Sequence, residues 1–162
     1  MKTELILLTI QAVIAASYLM YIVKGFGVRP SISESYYILH EKRRWMFWAF
    51  CWGVSLPFFF IYPNIWFFLA ASFFMLVGAA TAYRLNKLTR IPHVIGASAT
   101  IIFAFIGIWV VYGTPIPAIC MIIISGVFWD RAIKNLTWWV EVLALLLIIG
   151  SVFIMEMFVV IN

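Results

Sequence analysis

The chain has 162 residues, of which 66% are apolar and 10% charged, and it carries a net charge of +5. A soluble domain has about 25% charged residues and buries about 70% of its unfolded surface at this size, so a soluble single-core fold is excluded: the surplus apolar surface has to meet lipid. Nucleic-acid binding is excluded as the use of the positive charge, because the basic residues flank apolar runs and do not line a polar face.

The first apolar run is Leu5 to Val23. Ala15-Ala16-Ser17 has the small residues of a leader-peptide cleavage site, but the run continues six residues past it, so a retained span is expected. A polar connection follows from Lys24 to Arg44. Within it, Pro30 precedes Ser31-x-x-Glu34, a capping box in which the Ser side chain caps the Glu amide and the Glu reaches back. Ile32, Tyr36, Leu39 and Met46 then recur before and after Lys42, Arg43 and Arg44, which predicts an amphipathic helix on the inner leaflet or an extension of the second span.

The second run is Trp45 to Tyr62, ended by the turn dipeptide Pro63-Asn64, and the third is Ile65 to Tyr83. As one helix, the 39 residues from Trp45 to Tyr83 would extend about 58 Å, roughly twice the hydrocarbon thickness, so a hairpin is expected at Pro63-Asn64. Pro57 is expected to kink the second span by removing a backbone donor, and Phe58, Phe59 and Phe60 to face lipid. After the basic turn from Arg84 to Arg90 come His93 to Tyr112, Gly113-Thr114-Pro115, Ile116 to Trp129 and finally Trp138 to Ile161.

The fold class expected is therefore an all-α polytopic membrane bundle in one domain, with six spans near 5–23, 45–62, 65–83, 93–112, 116–129 and 138–161. Ten of the eleven Lys and Arg fall on one side of that arrangement, which places this side in the cytoplasm and both termini outside, in a cell membrane. Trp45, Trp48, Trp129, Trp138 and Trp139 would form an inner aromatic belt, and Tyr62, Trp66, Trp109 and Tyr112 an outer one. In span three Ala71, Met75 and Ala79, and beside them Gly78 and Ala82, lie on neighbouring faces at four-residue spacing, as Gly96, Thr100 and Ala104 do in span four, which predicts close packing of these two helices.

Pro30-Ser31-Ile32-Ser33-Glu34-Ser35 after a first span resembles the Pro-x-Ile-Ser-acidic segment of the Frag/DRAM/Sfk-type six-pass family. Ile91-Pro92-His93 after the basic turn, with Gly96 and Ala97, is similar to the same group and to bacterial six-pass relatives. The resemblance covers about a quarter of the chain. It implies a six-helix bundle acting in lipid handling and membrane-protein scaffolding, without a settled catalytic mechanism.

Ionisable residues inside a membrane are candidates for function, and here they are scarce. Trp45 to Tyr83 and Val94 to Trp129 contain no Asp, Glu, Lys, Arg or His, which argues against an ion pump or proton-coupled carrier. Glu141 reads as a charge at the start of the last helix and Glu156 as reaching the outer interface. Two His are too few for a three-His metal hydrolase, and Cys51 and Cys120 form no CxxC pair and read as buried thiols, so no cofactor is expected. The leading expectation is a non-enzymatic protein that binds membrane lipids through anionic headgroups, or a membrane-protein partner, at its basic face. Arg43, Arg44, Arg84, Arg90 and His93 would make the contacts, and Ser33 and Glu34 would shape the region; Arg suits phosphate because its fork donates two parallel bonds. A carrier for a neutral or apolar substrate along Ser55, Ser72, Thr81, Ser98, Thr100 and Ser125, and a lipid-modifying enzyme at the inner interface, are the alternatives.

Overall fold

A computed structural model describes residues 3–61, 64–81, 87–130 and 135–161. The fold is all-helical. Among the described residues there are seven α-helices: α1 (Thr3–Phe26), the single-turn α2 (Ser35–Ile38), α3 (Trp45–Ile61), α4 (Ile65–Ala79), α5 (Lys87–Tyr112), α6 (Ile116–Asp130) and α7 (Leu136–Ile161). Three stretches are long and apolar enough to cross a membrane: Thr3–Phe26, Arg90–Tyr112 and Leu136–Phe158. α3, α4 and α6 are shorter, at 17, 15 and 15 residues, or about 25, 22 and 22 Å of rise.

The helix ends follow from local chemistry. Gly27 (φ +75°) and Gly113 (φ +68°) adopt the left-handed conformation that closes α1 and α5, and their N–H groups bond to Val23 O and Trp109 O. Asn64 starts α4 by accepting the Trp66 N–H at 2.8 Å. Pro63, the other half of that predicted turn, lies outside the described residues. α5 begins at Lys87, six residues before the expected start at His93, so Pro92 lies in its second turn, where the helix gives up one intrahelical N–H bond and runs on.

α1, α3, α4 and α5 pack antiparallel in succession. Gln11 on α1 donates to Val54 O on α3 at 2.7 Å. Phe58 on α3 stacks on Phe67 of α4 with centroids 5.3 Å apart, and Phe73 of α4 stacks on Phe103 of α5 at 5.6 Å. Small residues do allow close approach, between α4 and α5 at Gly96 as expected, and at Gly78 between α4 and α3 instead. A Cβ built at Gly78 would stand 2.9 Å from Cys51 Cβ on α3, and one at Gly96 would stand 3.0 Å from the Phe73 carbonyl. α5 and α7 run parallel, and Tyr112 donates to Glu156 near their C-terminal ends.

The interior forms two layers. One layer centres on Phe67, Ala104, Ile108 and Val152; the other, toward the end of the bundle that carries Lys24 and Arg90, centres on Tyr18, Phe47, Phe50 and Trp138. Trp138 is 1% exposed, so it belongs to this core and not to an interfacial belt, whereas Trp45, Trp48 and Trp139 are exposed near the same end as expected. Trp129 has no described side chain. Phe58 is buried and Phe60 exposed, so the Phe58-Phe59-Phe60 run divides between core and surface. Large apolar side chains such as Val13, Ile102, Ile122 and Leu146 cover the outside, an amount of apolar surface that a soluble monomer does not leave uncovered.

Substituting Gly78→Ala should lower stability by about 1–3 kcal/mol by overpacking, while Gly150→Ala, whose Cβ meets nothing within 4 Å, should leave it unchanged or raise it through helix propensity. Thermal unfolding of both variants in the same detergent makes the comparison.

Candidate functional site

The distinctive site is built by residues 27–44, the connection between α1 and α3. This stretch is neither a surface helix nor an extension of α3. It consists of a 3-10 turn (Ile32–Glu34), α2, and a second 3-10 turn (Glu41–Arg43), folded as a wedge into the basic end of the bundle. Ile32, Ser33, Ser35 and Leu39 are all buried, and the extended backbone at Leu39 ends α2 after a single turn, so the stretch does not continue as one helix. The expected cap is present: the Ser31 hydroxyl oxygen accepts the Glu34 N–H at 3.3 Å.

Each neighbour ties the wedge down through polar atoms. From α5, the His93 ring bridges Ser33 Oγ (Nε2, 2.9 Å) and the Ala80 carbonyl (Nδ1, 3.1 Å). A carbonyl can only accept, so Nδ1 carries the proton and Nε2 accepts from the Ser33 hydroxyl. From α1, the Tyr18 hydroxyl meets Ser35 Oγ, which itself donates to Ile32 O; the single Ser proton is thereby used, and Tyr18 is the donor to Ser35. From α7, the Glu141 carboxylate accepts the Ile32 N–H at 2.5 Å, and the Trp138 N–H, one of the unpaired donors of a helix start, donates to Pro30 O at 3.1 Å. Asn135, in the left-handed conformation that Asn tolerates, donates to Val28 O, and Tyr37 donates to Thr81 O at 2.8 Å.

Beneath the wedge lies a cavity of about 60 Å³, bordered by Ser33, Glu141, Cys51 and Thr100 among apolar side chains. A water molecule needs about 10–15 Å³ of such space, so this cavity suits a few waters and not a lipid or organic substrate. The Thr100 hydroxyl is bonded to its own helix at Gly96 O (2.7 Å), as Ser55 is to Cys51 O and Ser72 to Phe68 O. Hydroxyls used in this way do not line a polar path.

The residues expected to form the site separate into two groups. Ser33 and His93, 60 positions apart in sequence, are brought into contact, and both are buried; they hold the wedge and do not face a ligand at the surface. Glu34 is half-buried beside them. Arg43 is exposed and donates to the Tyr21 hydroxyl at 2.9 Å. Arg44 lies over the Tyr36 ring, 5.3 Å from its centroid, and 3.9 Å from Glu41. Arg90 is exposed in the first turn of α5. Arg84, and with it Arg131 and Lys134, lies outside the described residues.

Two carboxylates are placed otherwise than expected. Glu141 turns inward to hold Ile32 and does not simply sit at a helix start, and Glu156 is buried against Tyr112 and does not reach the outer interface. Burial in each case is offset by a hydrogen-bond donor within reach. Tyr18 and Tyr21 were the contributors missed in the sequence. Their signal was available: two hydroxyl-bearing aromatics one turn apart at the basic end of an otherwise apolar helix. Comparison of the chain with family models, with curated proteins and with solved structures finds no match.

The wedge should be lost in steps. His93→Ala should cost about 1–3 kcal/mol by leaving the Ala80 carbonyl and Ser33 hydroxyl unpaired, and Ser33→Ala combined with it should add little, since both remove the same bond. Glu141→Ala should destabilise more than Glu141→Gln, which keeps an acceptor for the Ile32 N–H. Thermal unfolding of the four variants in detergent reads these differences.

Proposed function

We propose that this is a six-pass membrane protein of non-enzymatic function that binds anionic lipid headgroups at its cytoplasmic face, the face formed by the wedge. The observation that carries the reading is Arg43, whose guanidinium is exposed yet held in place by the Tyr21 hydroxyl at 2.9 Å. A guanidinium fixed by one N–H keeps its remaining donors for a phosphate and loses less side-chain entropy on binding. Lys42 precedes it in the same exposed turn, and Trp45 and Trp48, ring to ring at 6.4 Å, are exposed just beyond it, as aromatic residues are at a headgroup boundary. Arg90 adds a further exposed cation at the start of α5.

The alternating direction of the helices supports six crossings, with α3, α4 and α6 as the shorter ones and both termini outside. The exposed apolar surfaces of all six support lipid contact on every side. The resemblance to the Frag/DRAM/Sfk-type family fits this reading, because the two stretches that carry it, 30–35 and 91–93, are the ones that meet at Ser33 and His93. Ser33, His93 and Glu34 then position the basic turn, and Lys42, Arg43 and Arg90 contact lipid. Arg44 has a smaller part, since the Tyr36 ring and Glu41 already engage it.

A basic residue near an anionic surface contributes about 1 kcal/mol. Replacing Lys42 and Arg43 together with Ala should therefore weaken retention of phosphatidylglycerol over phosphatidylcholine by about 30-fold at low salt, with the fold retained. Native mass spectrometry of the detergent-purified protein measures this; equal retention of the two lipids by the parent and the variant would defeat the reading.

A further inference from the structure

A groove opens along the seam between α1 and α7, the first and last helices. Its volume is about 570 Å³, within the ~300–1,000 Å³ typical of ligand sites. Its walls are Ala12, Ala16 and Leu19 on α1 and Leu146, Gly150 and Ile154 on α7, spaced at three and four residues so that each set shares one helix face. The small side chains make it deep: a Cβ at Gly150 would meet nothing within 4 Å. Leu19 is shared with a second hollow of about 270 Å³ that continues the groove toward the basic end, between Val23 and Lys24 on α1 and Trp139 and Val142 on α7.

From Thr9 to Lys24 the trough follows about 22 Å of α1, more than half of the ~30 Å hydrocarbon thickness. Its walls are almost wholly apolar. Thr9 has its hydroxyl bonded to the Leu5 carbonyl at 2.7 Å, which leaves the cation of Lys24 to mark the basic end. A long apolar trough with a cation at one end complements an amphiphile that has a hydrocarbon tail and an anionic head; an apolar partner helix would leave Lys24 unmatched.

We propose that the α1–α7 groove binds an anionic phospholipid, with an acyl chain along the trough and the phosphate on Lys24 beside the Trp139 indole. This site uses none of Lys42, Arg43 and Arg90, so it stands or falls separately from the headgroup surface.

The test uses the full-length protein in nanodiscs containing phosphatidylglycerol with a diazirine in its acyl chain, with labelled positions located by peptide mapping. Labelling should concentrate on the groove faces of α1 and α7. Ala16→Phe with Gly150→Phe, which fills the trough, should reduce it at least fivefold at unchanged thermal stability. Gly150→Leu alone is the milder filling variant, with the same direction expected. Lys24→Ala should keep the acyl-chain labelling but remove the preference over the phosphatidylcholine analogue. Labelling that ignores both filling variants, or a preference that survives Lys24→Ala, overturns the proposal. So does a change of oligomeric state in the filling variants without loss of labelling, which would assign the groove to a second copy of the chain.

Discussion

Backbone that is not helical cannot be left in an apolar environment unless every N–H and C=O finds a partner, and this constraint shapes the basic end of the molecule. Residues 27–44 enter the bundle in short turns, so their backbone is only partly satisfied from within. The remainder is supplied by other helices: Glu141 accepts the Ile32 N–H, and the Pro30 and Val28 carbonyls accept from Trp138 and Asn135. Half of the six described buried polar side chains are used here as well: Ser33, Ser35 and His93 all bond within this junction. Polar groups used in this way convert a connection into part of the core and fix its position more specifically than apolar contact would.

That fixed position is what gives the surface its form. Because Ile32 and Leu39 are held in the core with Phe47 and Trp138, the second 3-10 turn emerges at one defined place, and Lys42 and Arg43 emerge with it. Tyr21 then meets Arg43 from α1. The same docking sets α1 against α7 at Trp138 and Ile22, and the two helices leave the trough between them along the rest of their length. Polar chemistry at the wedge and apolar geometry at the seam are thus linked through the placement of α1.

The apolar helices were legible in the sequence because an apolar run bounded by Gly, Pro or Asn leaves few other solutions, and the segment ends at Trp45, Ile65, Tyr112 and Ile116 match closely. The Ser31 cap was legible for the same local reason. The insertion of the wedge was not. Ile32, Tyr36 and Leu39 have a spacing that suits a surface helix, and only the partners of Ser33 and Ser35 show that the chain turns inward. Those partners lie 60 and 17 positions away, and nothing local marks the pairing. Trp138 and Glu141 were misplaced for a related reason: beside a membrane boundary, interfacial and buried roles draw on the same residue types. The expected site residues were found in the right region, but burial divides them into those that hold the wedge and those that face outward.

The docking of the wedge is most directly measured by backbone hydrogen exchange of the protein in lipid nanodiscs, followed peptide by peptide across residues 30–39. A wedge bonded to α1, α5 and α7 should exchange slowly, with protection comparable to that of the adjoining turns of α1 and α5. Complete exchange of this segment within seconds, as in an exposed surface loop, would contradict the account.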